Sequence, residues 1–448
     1  MAAILGLLGT EQFDAERFKN IRREVFYQYP NGAAPLTGIL SLLDEEDTND
    51  PEFKWYEKRF PTQTTLTVTQ GSSKGPFLTG AGADAGDPLT TVVDTEYRVC
   101  VADATRFRVG HVIRILVTAG SATLELMGTV TAISTTAVQY LKFRALNVVA
   151  AIDNGTTNES VGLVVWAVGS SFAQGAVGSS GDIYDLPVSL TNYAQIFRTQ
   201  FSMTGTAIRT GAKFDETGVY KDKAKDHLLT HSIEMEKAFL FGERSKYTDS
   251  TTQLPQYTTG GILWHLKQWE LTSNNPYGAA GATANSDDNK RIININGALS
   301  EANFDLYLER AFRFTNNVSN EKLALCGSGF LSVVNTLFKD KSLLQAKMGG
   351  AGQTYGMDVV SHLTPFGTIH YKTHPLFSQN AEWRYNCLIL DVKNLKYRYM
   401  QGRDTELLKN RQPNDADYRK DEWLGECGLE CRFPESHMLL KGVTSASI

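Results

Sequence analysis

Hydrophobic and polar positions along the chain fall into stretches of different period. Residues 13–29 are charged and rich in aromatics and predict one helix; Asn31-Gly32 and the acidic run 44–50, ending at Pro51, predict an arm behind it. At Thr62 the composition turns to Thr, Gly, Val and Ala, and the alternation Thr65-Leu66-Thr67-Val68-Thr69 predicts a strand with one exposed face. A loop rich in Gly and Asp, 80–88, follows. Short apolar runs at 99–101, 111–117, 124–133, 137–143 and 161–168 are then spaced by Gly, Ser, Thr and Asn, the pattern of a small β-barrel or sandwich.

From Lys213 the period becomes helical. Over 215–241 Ala224, Leu228, Met235 and Phe239 share one face, with Leu229, Ile233 and Leu240 beside it, and Gly242 supplies the stop. About 26 residues at 1.5 Å each make a rod of roughly 39 Å, long enough to traverse a domain. A second helix is expected after Ser300, an N-cap, with Phe304, Tyr307, Leu308, Ala311 and Phe312 at helical spacing. The apolar run 323–326 meets Gly327-Ser328-Gly329 and a further helix carrying Leu331, Val334, Leu337 and Phe338, and strands are expected at 358–363, 368–373, 387–391 and 395–400. Near the C-terminus Cys427, Leu429, Cys431 and Phe433 alternate with Glu426, Gly428, Glu430 and Arg432; Pro434-Glu435-Ser436 then turns the chain into 437–443, which predicts one long closing β-hairpin. No regular βαβ alternation suggests a Rossmann sheet or a TIM barrel, and an α+β class is expected.

Length and charge narrow this picture. A chain of 448 residues implies roughly two to four folding units, each able to bury a core without disulfide staples. The net charge of -5 argues against a free-standing nucleic-acid binder, which needs a basic surface. Residues 145–197 hold no Lys or Arg but include Asp153, Glu159, Asp182 and Asp185, an acidic surface that belongs away from phosphate. The apolar start 2–8 is too short for a signal peptide or a membrane span, so a soluble protein made in a cytoplasm is expected. Five cysteines, Cys100, Cys326, Cys387, Cys427 and Cys431, are an odd, sparse set that fits reduced thiols, with no pairing inside the subunit; the sequons at Asn154, Asn158 and Asn317 are then chance matches.

Candidate chemistry is thin. His227 and His231 stand one helical turn apart with Glu234 a turn further, the geometry of a zinc helix, but Leu228 occupies the place of a metalloprotease's general base, and two histidines on a solvated face are expected. His370 and His374 lie in strand-like sequence, where four residues span about 13 Å, too far to share a metal. The same distance separates Cys427 and Cys431, which read as core or interface residues. Gly349-Gly350-Ala351-Gly352 lacks the ending of a phosphate loop and reads as a flexible loop; Gly327-Ser328-Gly329 lacks the full nucleophile-elbow pattern. The tract 393–420 interleaves Arg398, Arg403, Lys409, Arg411, Arg419 and Lys420 with Asp404, Glu406, Asp415 and Asp417, mixed signs that suit a salt-bridged protein contact better than a DNA groove. No catalytic, cofactor-binding or metal site is assigned.

The order of arm, β-rich excursion, long helix and closing hairpin resembles the Johnson (Hong-Kong-ninety-seven-type) fold of tailed-bacteriophage major capsid, or major head, proteins. The likeness sharpens at Gln195-Ile196-Phe197 leading to Thr204-Gly205-Thr206-Ala207, at Glu234-Met235-Glu236-Lys237-Ala238-Phe239-Leu240-Phe241-Gly242, at Thr259-Gly260-Gly261-Ile262, at Tyr355-Gly356-Met357-Asp358-Val359-Val360 and at Gly425-Glu426-Cys427-Gly428-Leu429-Glu430. Val101-Ala102-Asp103-Ala104 and Phe107-Arg108-Val109-Gly110 are similar to a β module inserted in some members. The resemblance implies an N-terminal arm (1–61), an extended loop in two sides (62–95 and 176–214), a small β-barrel-like insertion (96–175) exposed outside the shell, a peripheral domain with its spine helix (215–299), an axial domain (300–420) and a closing hairpin of the peripheral domain (421–448). It further implies a non-enzymatic shell subunit without cofactors, forming hexamers and pentamers of an icosahedral head around double-stranded DNA. Portal, decoration or scaffolding proteins would be its partners, with weak non-specific DNA contact and no membrane. The chain departs from the pattern in lacking a scaffolding-like charged helical domain before Thr62 and a recognisable cross-linking lysine and asparagine. An encapsulin-like nanocompartment shell and a carbohydrate-binding phage enzyme or adhesin are the alternatives.

Overall fold

The computed structural model describes residues 36, 38, 45–58, 63–68, 75–83, 85, 88–119, 122–136, 139–152, 154, 163–175, 186–210, 218–271, 290–314, 320–339, 349–354 and 357–447. The helix expected over 13–29, and Asp153, Glu159, Asp182 and Asp185, lie outside them. The chain divides into two compact units, one of Met1–Lys54, Thr191–Gln268 and Arg291–Ile448, the other of Trp55–Leu190 and Trp269–Lys290.

In chain order the strands are β1 (Glu45–Thr48), β2 (Glu52–Glu57), β3 (Thr64–Leu66), β4 (Phe77–Thr79), β5 (Glu96–Cys100), β6 (His111–Ala119), β7 (Ala122–Ser134), β8 (Tyr140–Ala145), β9 (Val164–Ser170), β10 (Val188–Tyr193) and β11 (Gln195–Thr204). The helices α1 (Gly205–Arg209) and α2 (Val219–Phe241) come next, then β12 (Ser245–Thr248), β13 (Pro255–Thr258), α3 (Ile262–Leu271), β14 (Ile292–Ser300), α4 (Glu301–Arg313), β15 (Glu321–Cys326) and α5 (Ser328–Lys339). β16 (Gly349–Thr354), β17 (Met357–Thr364), β18 (Gly367–Thr373), α6 (Pro375–Gln379), β19 (Cys387–Leu390), β20 (Leu395–Met400), β21 (Glu406–Leu408), β22 (Tyr418–Cys431) and β23 (Met438–Ser447) complete the described chain.

The smaller unit is built on one seven-stranded sheet in the order β3-β9-β6-β7-β8-β5-β4. Alternation places Val99, Ile113, Ile115, Val117, Leu126, Val130, Leu141, Phe143 and Val165 inside. The sheet rolls on itself where the chain after β3 meets the chain after β5, through Val68 N to Cys100 O at 3.0 Å and Ala102 N to Leu66 O at 2.9 Å. Thus β3 and β4, upstream of Glu96, belong to the same sheet as 96–175. In β3 and just beyond it Thr65 and Thr67 are buried, their hydroxyls accepting from Asp103 N and Leu163 N, both at 3.0 Å.

The larger unit holds two main sheets. One runs β1-β20-β22-β11, with β21 also on β22; the other runs β14-β23-β19-β15-β18-β17-β16. Helix α2 packs on the first sheet through its C-terminal half, burying Met235, Phe239 and Leu240 against Phe197, Tyr397, Cys427 and Leu429. Ala224, Leu228, Leu229 and Ile233, expected on the apolar face, are only half-buried. In the second sheet Leu323 and Leu325 face this core while Ala324 and Cys326 face another, formed with Phe304, Leu308 and Phe312 of α4 and Phe330 and Val334 of α5. Ser300 caps α4 as expected, its hydroxyl accepting from Asn303 N at 3.3 Å.

Three expectations about the elements need correction. β22 and β23 are not a hairpin: β22 has β11 on one edge and β20 and β21 on the other, so neither edge is left for β23, which lies between β14 and β19. Phe433, at φ 46°, and the 3-10 turn Pro434–Ser436 carry the chain from one sheet to the other. Gly349-Gly350-Ala351-Gly352 is not a loop but lies in β16, paired antiparallel with β17. The acidic run near Glu45 forms β1, parallel to β20, because Glu46 finds Arg398 at 2.8 Å and Lys396 at 3.8 Å.

Candidate functional site

The pairs weighed for metal or catalysis resolve into structural contacts. His227 stacks on Phe201, ring centroids 5.3 Å apart. His231 is fully buried, not solvated as the helical spacing led one to expect: Nδ1 lies 3.1 Å from Thr199 Oγ1, and burial pushes its pKa down. Its face of α2 abuts β11, which the helical period alone does not reveal. His370 Nδ1 lies 2.9 Å from Ser361 Oγ on the adjacent strand. His374 caps α6, Nδ1 accepting from Leu376 N at 3.2 Å, which leaves Nε2–H to donate to Glu236 Oε1 at 2.8 Å. Among the described residues no three His, Cys, Asp or Glu converge to hold a metal ion.

Glu236 is a junction that sequence reading missed. It is fully buried, and Oε1 accepts from Leu36 N, 2.9 Å away, as well as from His374. One carboxylate therefore ties together residue 36, helix α2 and the start of α6.

The densest charged feature runs along β22. Glu422, Glu426 and Glu430 recur every fourth residue and so share one face, while Trp423 on the opposite face donates Nε1–H to Ala224 O at 3.1 Å. Glu422 takes Arg198 Nη2 at 2.7 Å and Arg411 Nε at 3.2 Å, Glu426 takes Arg403 at 3.1 Å, and Glu430 takes both Arg398 and Arg432. On the α2 side Asp421 accepts from Tyr220 Oη and Arg419 Nε, and burial, then that contact, raises the Tyr220 phenol to about 12. The carboxylates are enclosed, the Glu422 side chain 2% exposed, but Arg198 is 59% exposed. Arg198, Arg411 and Arg403 thereby largely keep their hydration, which lowers the desolvation cost of their pairs, whereas Arg398 is enclosed with Glu430. Burial alone would raise Glu422; its hydrogen bonds and charges from Arg198 and Arg411 outweigh that and hold it below the usual carboxylate range. Much of the mixed-sign tract 393–420 is thus spent inside the subunit, joining β11, β20 and β22 and the loops on either side of β21.

Among the described residues, exposed features open to contact include the following. In the smaller unit Val164, Trp166 and Val168 of β9 and Leu116 of β6 stand outward in the isolated chain, with the Arg114 guanidinium 5.1 Å from the Trp166 ring. In the larger unit a cleft of about 590 Å³ is lined by Lys237, Phe241, Leu376, Gln379, Asn380 and Trp383.

Residues 8–444 match the family model described as SU10 major capsid protein. The chain is 22% identical over 413 residues to a major capsid protein of Pseudomonas phage PaMx41, covering 91% of this chain and 85% of that one. Among solved structures it is similar to the capsid asymmetric unit of cyanophage A-1(L), at 13% identity and TM-score 0.45 over 97% of this chain and 99% of that one. It is also similar to a structure of Mycobacterium phage Bobi, at 8% identity and TM-score 0.41 over 97% and 98%.

Proposed function

Because the chain belongs to the SU10 major capsid protein family, we infer that it is the subunit from which a tailed-bacteriophage head is built, as hexamers and pentamers closing into an icosahedral shell around double-stranded DNA. The observation that carries this reading is the family match over residues 8–444, nearly the whole chain. The α+β fold suits a shell subunit, because sheets clamped by buried carboxylates are stiff, and outward apolar residues such as Trp166 and Val168 are surface that assembly can cover. In this reading helix α2 would be the spine, the sheet β14-β23-β19-β15-β18-β17-β16 with α4 and α5 would be the axial domain expected over 300–420, and the β3–β9 unit would be the insertion in the extended loop. The chain then works without catalysis or cofactor. Its remaining partners are portal, decoration or scaffolding proteins, and its net charge of -5 supports only weak contact with packaged DNA. No helix among the described residues is long and apolar enough to cross a membrane, and the shell would be assembled in the host cytoplasm. Electron micrographs of the protein expressed in bacteria test the reading: closed shells or capsomers are expected, and a small closed oligomer would contradict it.

A further inference from the structure

Cys326 and Cys387 are sixty-one residues apart in sequence, yet their sulfurs lie 3.1 Å apart. They are directly opposed across the antiparallel pair β15–β19, in the middle of the seven-stranded sheet. Opposed residues of such a pair have Cα atoms about 4.5–5.5 Å apart, inside the range of about 4.4–6.8 Å that a disulfide spans, so the backbone spacing permits a bond. Both thiols are buried, and burial raises the Cys326 pKa, which keeps it in the less reactive thiol form. Their position offsets this. Cys326 is the last residue of β15 and Cys387 the first of β19, and the bond from Gly327 N to Asn386 O, 3.1 Å, closes the ladder just beyond them. The end of a ladder opens more readily than its centre. Cys427 and Cys431, four residues apart on one strand, are about 13 Å from each other and have no such option.

We propose that Cys326 and Cys387 are a disulfide-forming site, reduced as the subunit folds and closed by a peroxide once the protein leaves a reducing compartment. Two thiols and one hydrogen peroxide give one disulfide and two waters, the two thiol protons going to the peroxide oxygens. The S–S bond forms, both S–H bonds and the O–O bond break, sulfur is oxidised and the peroxide oxygens are reduced.

The test treats the purified assembled protein with hydrogen peroxide, then denatures and alkylates it without reductant before intact-mass and peptide analysis. Two of the five thiols should escape alkylation, a linked peptide should join residues 326 and 387, and dithiothreitol should restore both thiols. The oxidised protein should melt several degrees above the reduced one, a gap that C326S or C387S abolishes. Alkylation of all five thiols after peroxide, oxidation of the pair to sulfinic acids without a link, or a link between other cysteines would each overturn the proposal. Should either variant fail to fold, peptide mapping of the wild-type chain decides alone.

Discussion

Glu236 carries more of the structure than any residue type or spacing around it announces. Replacing it with alanine leaves the His374 Nε2–H and Leu36 N–H without their buried acceptor, and is expected to cost about 3–5 kcal/mol in urea unfolding. Glu236→Ala and His374→Ala together should cost clearly less than their sum, because each removes the other's partner; additive effects would show the contact is incidental. His265 and His437 give the molecule a pH dependence. Burial, helped by the charge of Arg244 for one and of Lys322 and His265 for the other, holds both imidazoles down to about 3. An unfolded imidazole titrates near 6.5, so above that pH neither contributes, and as pH falls below it the unfolded chain gains protons the folded chain refuses. Stability should drop by about 1.4 kcal/mol per pH unit for each histidine, read from urea midpoints at about pH 7 and 5. His437→Asn should remove that residue's share of the slope, about 1.4 kcal/mol per pH unit, and a midpoint that does not move between those values would refute the assignment. None of this is legible in sequence, since Glu236 and His374 are separated by 138 residues.

At the level of strands and helices the sequence carries much more. The alternating runs near 99, 111, 124 and 161 became β5, β6, β7 and β9, and the cap at Ser300 opens α4. The failures share a cause. A hairpin is read from two adjacent strands and a turn, but whether they pair depends on which edges distant strands already occupy, and β11 had taken the edge of β22. Glycine-rich 349–352 likewise becomes a strand because β17 supplies its ladder. Gly242 does end α2, though not by a left-handed cap: its φ is −57°, and glycine is needed because a Cβ would sit 2.4 Å from Ala238 O and 2.5 Å from Thr259 O. Backbone on both sides cannot retreat, so Gly242→Ala should cost about 3 kcal/mol, lowering the melting temperature by several degrees. A variant that melts with the wild type would show that the chain relaxes there.

The division into two units makes a larger prediction. Excising 96–175 would strip β3 and β4 of their partners β9 and β5, so that cut should yield a poorly soluble chain. A cut made where Gln63 O already accepts from Ala167 N at 3.1 Å leaves its ends adjacent. Replacing 64–166 with a short Gly-Ser linker should leave the rest folded and able to form capsomers, and the excised segment folded by circular dichroism. An insoluble remainder and an unfolded segment would together reject the autonomy of the β unit. For the whole molecule the decisive property is self-assembly through large contacts between copies, as expected of a member of a major capsid family. Static light scattering of the purified chain across salt and crowding conditions tests that most directly: particles of capsomer or shell mass are predicted, and monomer or dimer alone under every condition would contradict it.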